Sequence, residues 1–187
     1  SQVNAIWDGS TSTVRIASAR SEIISFQIAI DGKASNVEIN LSDLKGSAGT
    51  ISNKGVKLWR MWYHKQYAEY ALPWKGSVSC PMPDNNIKKQ KVQSVSVDFH
   101  IPKETKAGDY KGTVTLESGD NKVELNLKVK VYDVVIPDNI NFNPELNAYQ
   151  GPGRAGSKQF YNSFKLAHYH RATVNRVPYG QTGRVHK

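Results

Sequence analysis

Gly151, Gly153 and Gly156 in "LNAYQGPGRAGSKQ" have the G-x-G-x-x-G spacing of a loop that cradles a dinucleotide pyrophosphate. Three features of the surrounding residues oppose that chemistry. Pro152 removes a backbone N–H where the cradle needs donors. Ser157 is a good helix cap, which places Gly156 ahead of the helix rather than at the helix–strand contact the third glycine serves. No Asp or Glu follows Glu145, so the acid that holds a ribose about 20 residues onward is missing. The other reactive side chains are sparse. Cys80 is the single cysteine, which excludes an internal disulfide and a cysteine metal cluster. His168 and His170 stand two apart on an expected helix and point to different sides, so they share no metal. No cofactor and no metal are expected.

A second concentration of chemistry lies in "KLWRMWYHKQYAEYALPWK", with Trp59, Trp62, Tyr63, Tyr67, Tyr70 and Trp74. Aromatic faces on a β-sandwich can stack on sugar rings, and Trp59, Trp62 and Trp74 are the candidates for that role. The same rings could instead fill a core or seal one domain against another.

The elements that must position these residues follow from periodicity. In "KVELNLKVKVYDV", Val123, Leu125, Leu127, Val129 and Val131 alternate with polar residues, giving a strand with one buried face. "SGDNK" supplies a tight turn to its hairpin partner "YKGTVTLES". Val95, Val97, Phe99 and Ile101 alternate likewise, as do Phe26, Ile28 and Ile30, and Val37, Ile39 and Leu41. Short alternating strands separated by turn signals make residues 1–137 an antiparallel β-sandwich. Tyr110 is expected to pack inward, and Gly112 to mark a bulge or a close backbone approach.

After "DVVIPDNINFNPE" the pattern changes. A linker leads to a short strand, "ELNAYQ", then a helix from Ser157 to about Arg171, then a strand, "ATVNRVPY". Phe160, Phe164 and Ala167 recur at helical spacing with Leu166 beside them, and Arg171 suits the C-terminal end of the dipole. One strand–helix–strand unit cannot close a core, because a parallel pair needs both faces covered. Residues 138–187 therefore read as a linker and the start of a (β/α)8 barrel, a fold that takes about 250 residues.

The formal net charge of +9 raises nucleic-acid binding. The excess sits in the last quarter, as single residues: Arg154, Lys158, Lys165, Arg171, Arg176, Arg184 and Lys187 against Glu145 alone. Dense basic runs are absent, which argues against a nucleic-acid tail. No apolar run approaches the roughly 20 residues that span a bilayer, so no membrane insertion is expected.

Four stretches carry a family resemblance. "SARSEIISFQIAI", "VQSVSVDFHIPKETKAGDYKGTVTL", "VYDVVIPD" and "FKLAHYHRATVNRVPY" together resemble the family 123 glycoside hydrolases, over residues 13–44 and 92–180. The resemblance implies a secreted or periplasmic bacterial β-N-acetylgalactosaminidase that retains configuration, the 2-acetamido group of its substrate acting as nucleophile. An adjacent Asp-Glu pair would orient that group and supply the general acid. No Asp is followed by Glu here, so the catalytic carboxylates lie outside these residues and the chain alone is expected to be inactive. Its partners would be the remainder of its own barrel and a glycan substrate. Asn147 and Tyr149 at the tip of the first barrel strand, and Asn175, Arg176 and Tyr179 at that of the second, are the residues expected to meet sugar hydroxyls. The alternative is a non-catalytic carbohydrate-binding or adhesion module that uses the exposed tryptophans.

Overall fold

The structure is a computed structural model that describes residues 4–63, 69–74, 78–80, 90–139, 145–148 and 154–176. It divides into two compact units, Ser1–Ile136 and Pro137–Lys187. The first is built of strands: β1 (Trp7–Asp8), β2 (Thr13–Arg20), β3 (Glu22–Asp31), β4 (Ala34–Leu41), β5 (Leu44–Gly46), β6 (Gly49–Ile51), β7 (Val56–Tyr63), β8 (Glu69–Pro73), β9 (Val78–Cys80), β10 (Val92–Ile101), β11 (Gly108–Ser118) and β12 (Asn121–Val135).

These strands form two sheets. The larger runs β1-β2-β12-β11-β4-β9, with β5 beside β11 and β6 on β5, and the smaller runs β3-β10-β7-β8. Period-two alternation supplies each sheet with an apolar face. Ile24, Phe26 and Ile28 of β3, with Val95, Val97, Phe99 and Ile101 of β10, are buried from the smaller sheet. Val37, Ile39 and Leu41 of β4, Val114 of β11, and Leu127, Val129 and Val131 of β12 are buried from the larger. All join one hydrophobic cluster, an arrangement consistent with a β-sandwich. Each such side chain contributes about 1.5–3 kcal/mol by leaving water.

Two glycines are required, one by close packing and one by its backbone conformation. A Cβ on Gly112 would lie 2.7 Å from Leu44 Cδ2 and 2.8 Å from Ser42 Oγ, because the chain from β4 to β5 runs along β11 there with one extra residue. Ser42 fixes this bulge: its Oγ accepts from the Thr113 N–H at 2.9 Å, and its own N–H donates to the Thr113 carbonyl at 3.0 Å. Gly119 adopts φ +56° in the two-residue turn that joins β11 to β12. Tyr110 is buried and its hydroxyl donates to the Lys106 carbonyl at 2.7 Å.

The structure corrects the sequence reading in two places. Not every pairing is antiparallel, since β2 runs parallel to β12. The cause is the corner that follows β2. Ser21 turns with φ +61°, and the Glu22 carboxylate accepts from the Ala19 N–H at 2.6 Å and the Ser18 hydroxyl at 3.1 Å. The chain thus passes into the other sheet instead of forming a hairpin. The vacant side of β2 is filled by β12 from the far end of the unit, and the long intervening chain meets the needs of a parallel crossover. The apolar face of β12 is also shorter than its alternation. Leu127, Val129 and Val131 are buried, but Val123 is 55% exposed, where the strand runs out past the core towards its hairpin turn.

The second unit holds β13 (Glu145–Ala148), α1 (Lys158–Tyr169) and β14 (Thr173–Arg176). β13 and β14 pair in parallel, with α1 in the connection between them.

Candidate functional site

The strand–helix–strand unit is set by its helix ends. Ser157 is extended, with φ −76° and ψ 157°, and its hydroxyl accepts from the Phe160 N–H at 3.2 Å. Gly156 precedes it at φ +81°, outside the helix, so it does not serve the packing role of a dinucleotide loop's third glycine. At the other end the His170 N–H donates to the Leu166 carbonyl. Arg171, expected to complement the helix dipole, takes the left-handed conformation at φ +57° just past the cap. Its guanidinium donates to the Pro137 carbonyl at 2.6 Å, tying the start of the unit to the turn between α1 and β14.

Register decides which expected rim residues meet. Asn147 pairs with Asn175, and Ala148 pairs with Arg176 one position further on. The two asparagines are therefore abreast near the C-terminal ends of two parallel strands, the end from which a barrel's loops build a site. Tyr149 and Tyr179 lie outside the described residues. His168 is exposed, and the His170 ring meets Tyr169 edge-on at 5.1 Å. No group of three His, Cys, Asp or Glu able to hold a metal occurs among the described residues.

The tryptophans fare differently from one another. Trp74 is 9% exposed and belongs to the hydrophobic core. Trp59 is half-buried, and its indole N–H donates to Asp98 Oδ2 at 2.7 Å. The side chain of Trp62 lies outside the described residues. Asp98 is a residue that the sequence reading passed over. It is buried, and its other oxygen accepts from the Ser25 hydroxyl at 2.7 Å. The signal was available: one carboxylate among apolar residues in "VSVDFHI", at a polar position of an alternating strand. These hydrogen bonds from Ser25 and Trp59 join β3, β10 and β7, so it works as a cross-strand acceptor.

The N-terminal domain profile of glycoside hydrolase 123 matches residues 4–118, more than half of the chain. The chain belongs to glycoside hydrolase family 123. Among solved structures, it is similar to a family 123 glycoside hydrolase from Clostridium perfringens, studied for glycolipid glycan hydrolysis, with 18% identity and a TM-score of 0.55. That alignment covers 73% of this chain but 26% of the clostridial enzyme, so the chain spans about a quarter of it. A weaker likeness joins it to the CooA pilin subunit of enterotoxigenic Escherichia coli, at 15% identity and a TM-score of 0.34, covering 66% of this chain and 90% of the pilin. No curated protein matches the chain. The family 123 match falls on the sheets of the first unit and ends at the last residue of β11.

Proposed function

We propose that this chain is the accessory sandwich and the opening barrel segment of a retaining glycoside hydrolase, one that removes terminal N-acetylgalactosamine by substrate-assisted hydrolysis. The observation that carries the reading is the family 123 N-terminal domain at residues 4–118, followed by a parallel strand–helix–strand unit. A (β/α)8 barrel begins with such a unit and collects its site at the C-terminal strand ends. In this reading Asn147, Tyr149, Asn175, Arg176 and Tyr179 are the rim residues that offer donors and acceptors to sugar hydroxyls. The clostridial relative was studied for glycolipid glycan hydrolysis, which supports a glycan as the substrate class.

The sandwich serves as an accessory domain. Trp74 in the core and Trp59 held by Asp98 support that role over an exposed sugar platform, the arrangement the adhesion-module alternative needs. The catalytic Asp-Glu pair belongs to the remainder of the barrel, and a secreted or periplasmic setting goes with a glycan substrate. The isolated chain is therefore inactive on an aryl β-N-acetylgalactosaminide. Adding the remaining barrel as a second polypeptide restores hydrolysis and raises the native mass above 20.8 kDa. Turnover by the isolated chain would overturn the assignment of the acid–base groups. Failure of the reconstituted protein on this sugar, with turnover of another, would overturn the substrate.

A further inference from the structure

The outer face of the larger sheet carries a row of cations. Lys45 of β5 is the register partner of Lys111 of β11, Lys111 of Lys128 of β12, and Lys128 of Arg15 of β2. Four positive side chains thus stand directly abreast across four neighbouring strands, a line about 14 Å long at the usual strand spacing. All four are exposed. Arg15 meets Asp8 at 3.1 Å, while Lys45, Lys111 and Lys128 make no ion pair among the described residues.

Folding alone does not account for this row. Like charges directly opposite each other destabilise a sheet. Lysine on a sheet edge blunts unwanted pairing, but β11 and β12 are interior strands. Beside the row, Arg15, Lys111, Lys128 and Lys130 help line an open depression of about 310 Å³. Polar and acidic side chains flank the row on both sides. On one flank Thr113 and Asn126 offer hydrogen-bonding groups, with Glu124 beyond them; on the other, Asp109 stands opposite Lys130.

We infer that this row binds an acidic polysaccharide, a chain bearing sulfate or carboxylate groups on successive sugars. A narrow line of cations with hydroxyl and amide groups alongside suits a linear polyanion rich in hydroxyls. A lipid surface calls for a broad basic face, and acids flank this one. Single-stranded nucleic acid adds base stacking on aromatic faces. Tyr132, the exposed ring nearest the row on β12, already carries the Lys130 ammonium at 5.1 Å. The inference stands on the first unit and does not depend on the sugar that the barrel cleaves.

The test is titration of the full chain with a chondroitin sulfate hexasaccharide over a range of salt concentrations. The variant Lys45→Gln/Lys111→Gln/Lys128→Gln is compared with Lys33→Gln/Lys54→Gln/Lys91→Gln, which removes equal charge from exposed lysines elsewhere. The first variant is expected to lose about tenfold in affinity and to flatten the log–log salt slope by about 2, while the second stays near the parent. A Tm for the first variant at or above that of the parent, from relief of the repulsion, excludes misfolding as the cause. Equal losses in both variants would reduce the effect to net charge and overturn the inference. So would absence of hexasaccharide binding at low salt. Tighter, row-dependent binding of single-stranded DNA or of phosphatidylserine vesicles would assign the row to those partners instead.

Discussion

The two units of this chain bury their apolar residues to very different degrees. In the first, Val95, Val97, Phe99 and Ile101 along β10 are all fully buried, and both sheets contribute to one cluster. In the second, α1 buries Ala167, while Tyr161, Phe164 and Leu166 are 57%, 37% and 44% exposed. Phe160 and Phe164 pack on each other at 4.8 Å along the helix. The contrast separates a unit whose strands satisfy one another from one whose helix has an apolar stripe and little to cover it. A 12-residue helix is marginal in water without tertiary packing.

The largest expected effect tests that contrast directly. Phe99→Ala opens a cavity in a packed core and costs about 3–5 kcal/mol, measured by denaturant unfolding. Phe164→Ala removes a similar ring from the open helix face and changes stability by about 0.5 kcal/mol or less, as surface substitutions do. Equal losses at the two positions would mean that the helix face is as well packed as the core.

Next in size is the buried carboxylate. Asp98→Ala leaves the Trp59 indole and the Ser25 hydroxyl without their acceptor, at about 1–3 kcal/mol. The Trp59 contribution to fluorescence shifts to the red as the ring loosens. An unchanged Tm and spectrum would show that the three strands it joins hold together without it. A smaller effect belongs to the helix cap. Ser157→Ala costs about 1 kcal/mol of helix stability. Because α1 buries Ala167 alone among its residues, the loss should appear as faster amide exchange in the first turn of α1, with β10 unaffected. Faster exchange in both would show that the units unfold together.

Much of this was legible beforehand for a physical reason. Strand alternation is local, and the same residues that alternate in β10, β3 and β4 are the ones that pack. The hairpin turn at Gly119 and the Ser157 cap are local signals too. The parallel partner of β2 was not legible, because it depends on a corner at Ser21 and Glu22 and on a strand more than 100 residues away. The same limit hid the cation row: Lys45, Lys111, Lys128 and Arg15 are unremarkable in sequence and meet only through register. Among the expected rim residues, alternation could not say which pair off, and it is the parallel register that sets Asn147 beside Asn175.

The smallest effect concerns the acid response of the two units. Asp8 in β1 is held well below the usual carboxylate range, chiefly by the Ser10 hydroxyl at 2.6 Å and then by the Arg15 guanidinium at 3.1 Å. A depressed carboxyl contributes stability that is fully present above its unfolded pKa and is lost as the pH falls through the folded one. The tie between β1 and β2 should therefore persist through the range in which ordinary carboxylates protonate and weaken only below it. In a carboxyl-carbon NMR titration, Asp8 is expected to keep its ionised shift at about pH 3, below the ordinary aspartate pKa. Asp8→Asn should remove that late step and loosen Trp7 and Asp8 against Val14 and Thr13, their partners on β2. The second unit contains Asp138 and Glu145 as its carboxylates, so the same titration should leave the amide signals of α1 nearly still. Movement of those signals in step with Asp8 would mean that the acid response of β1 is transmitted into a unit with almost no acids of its own.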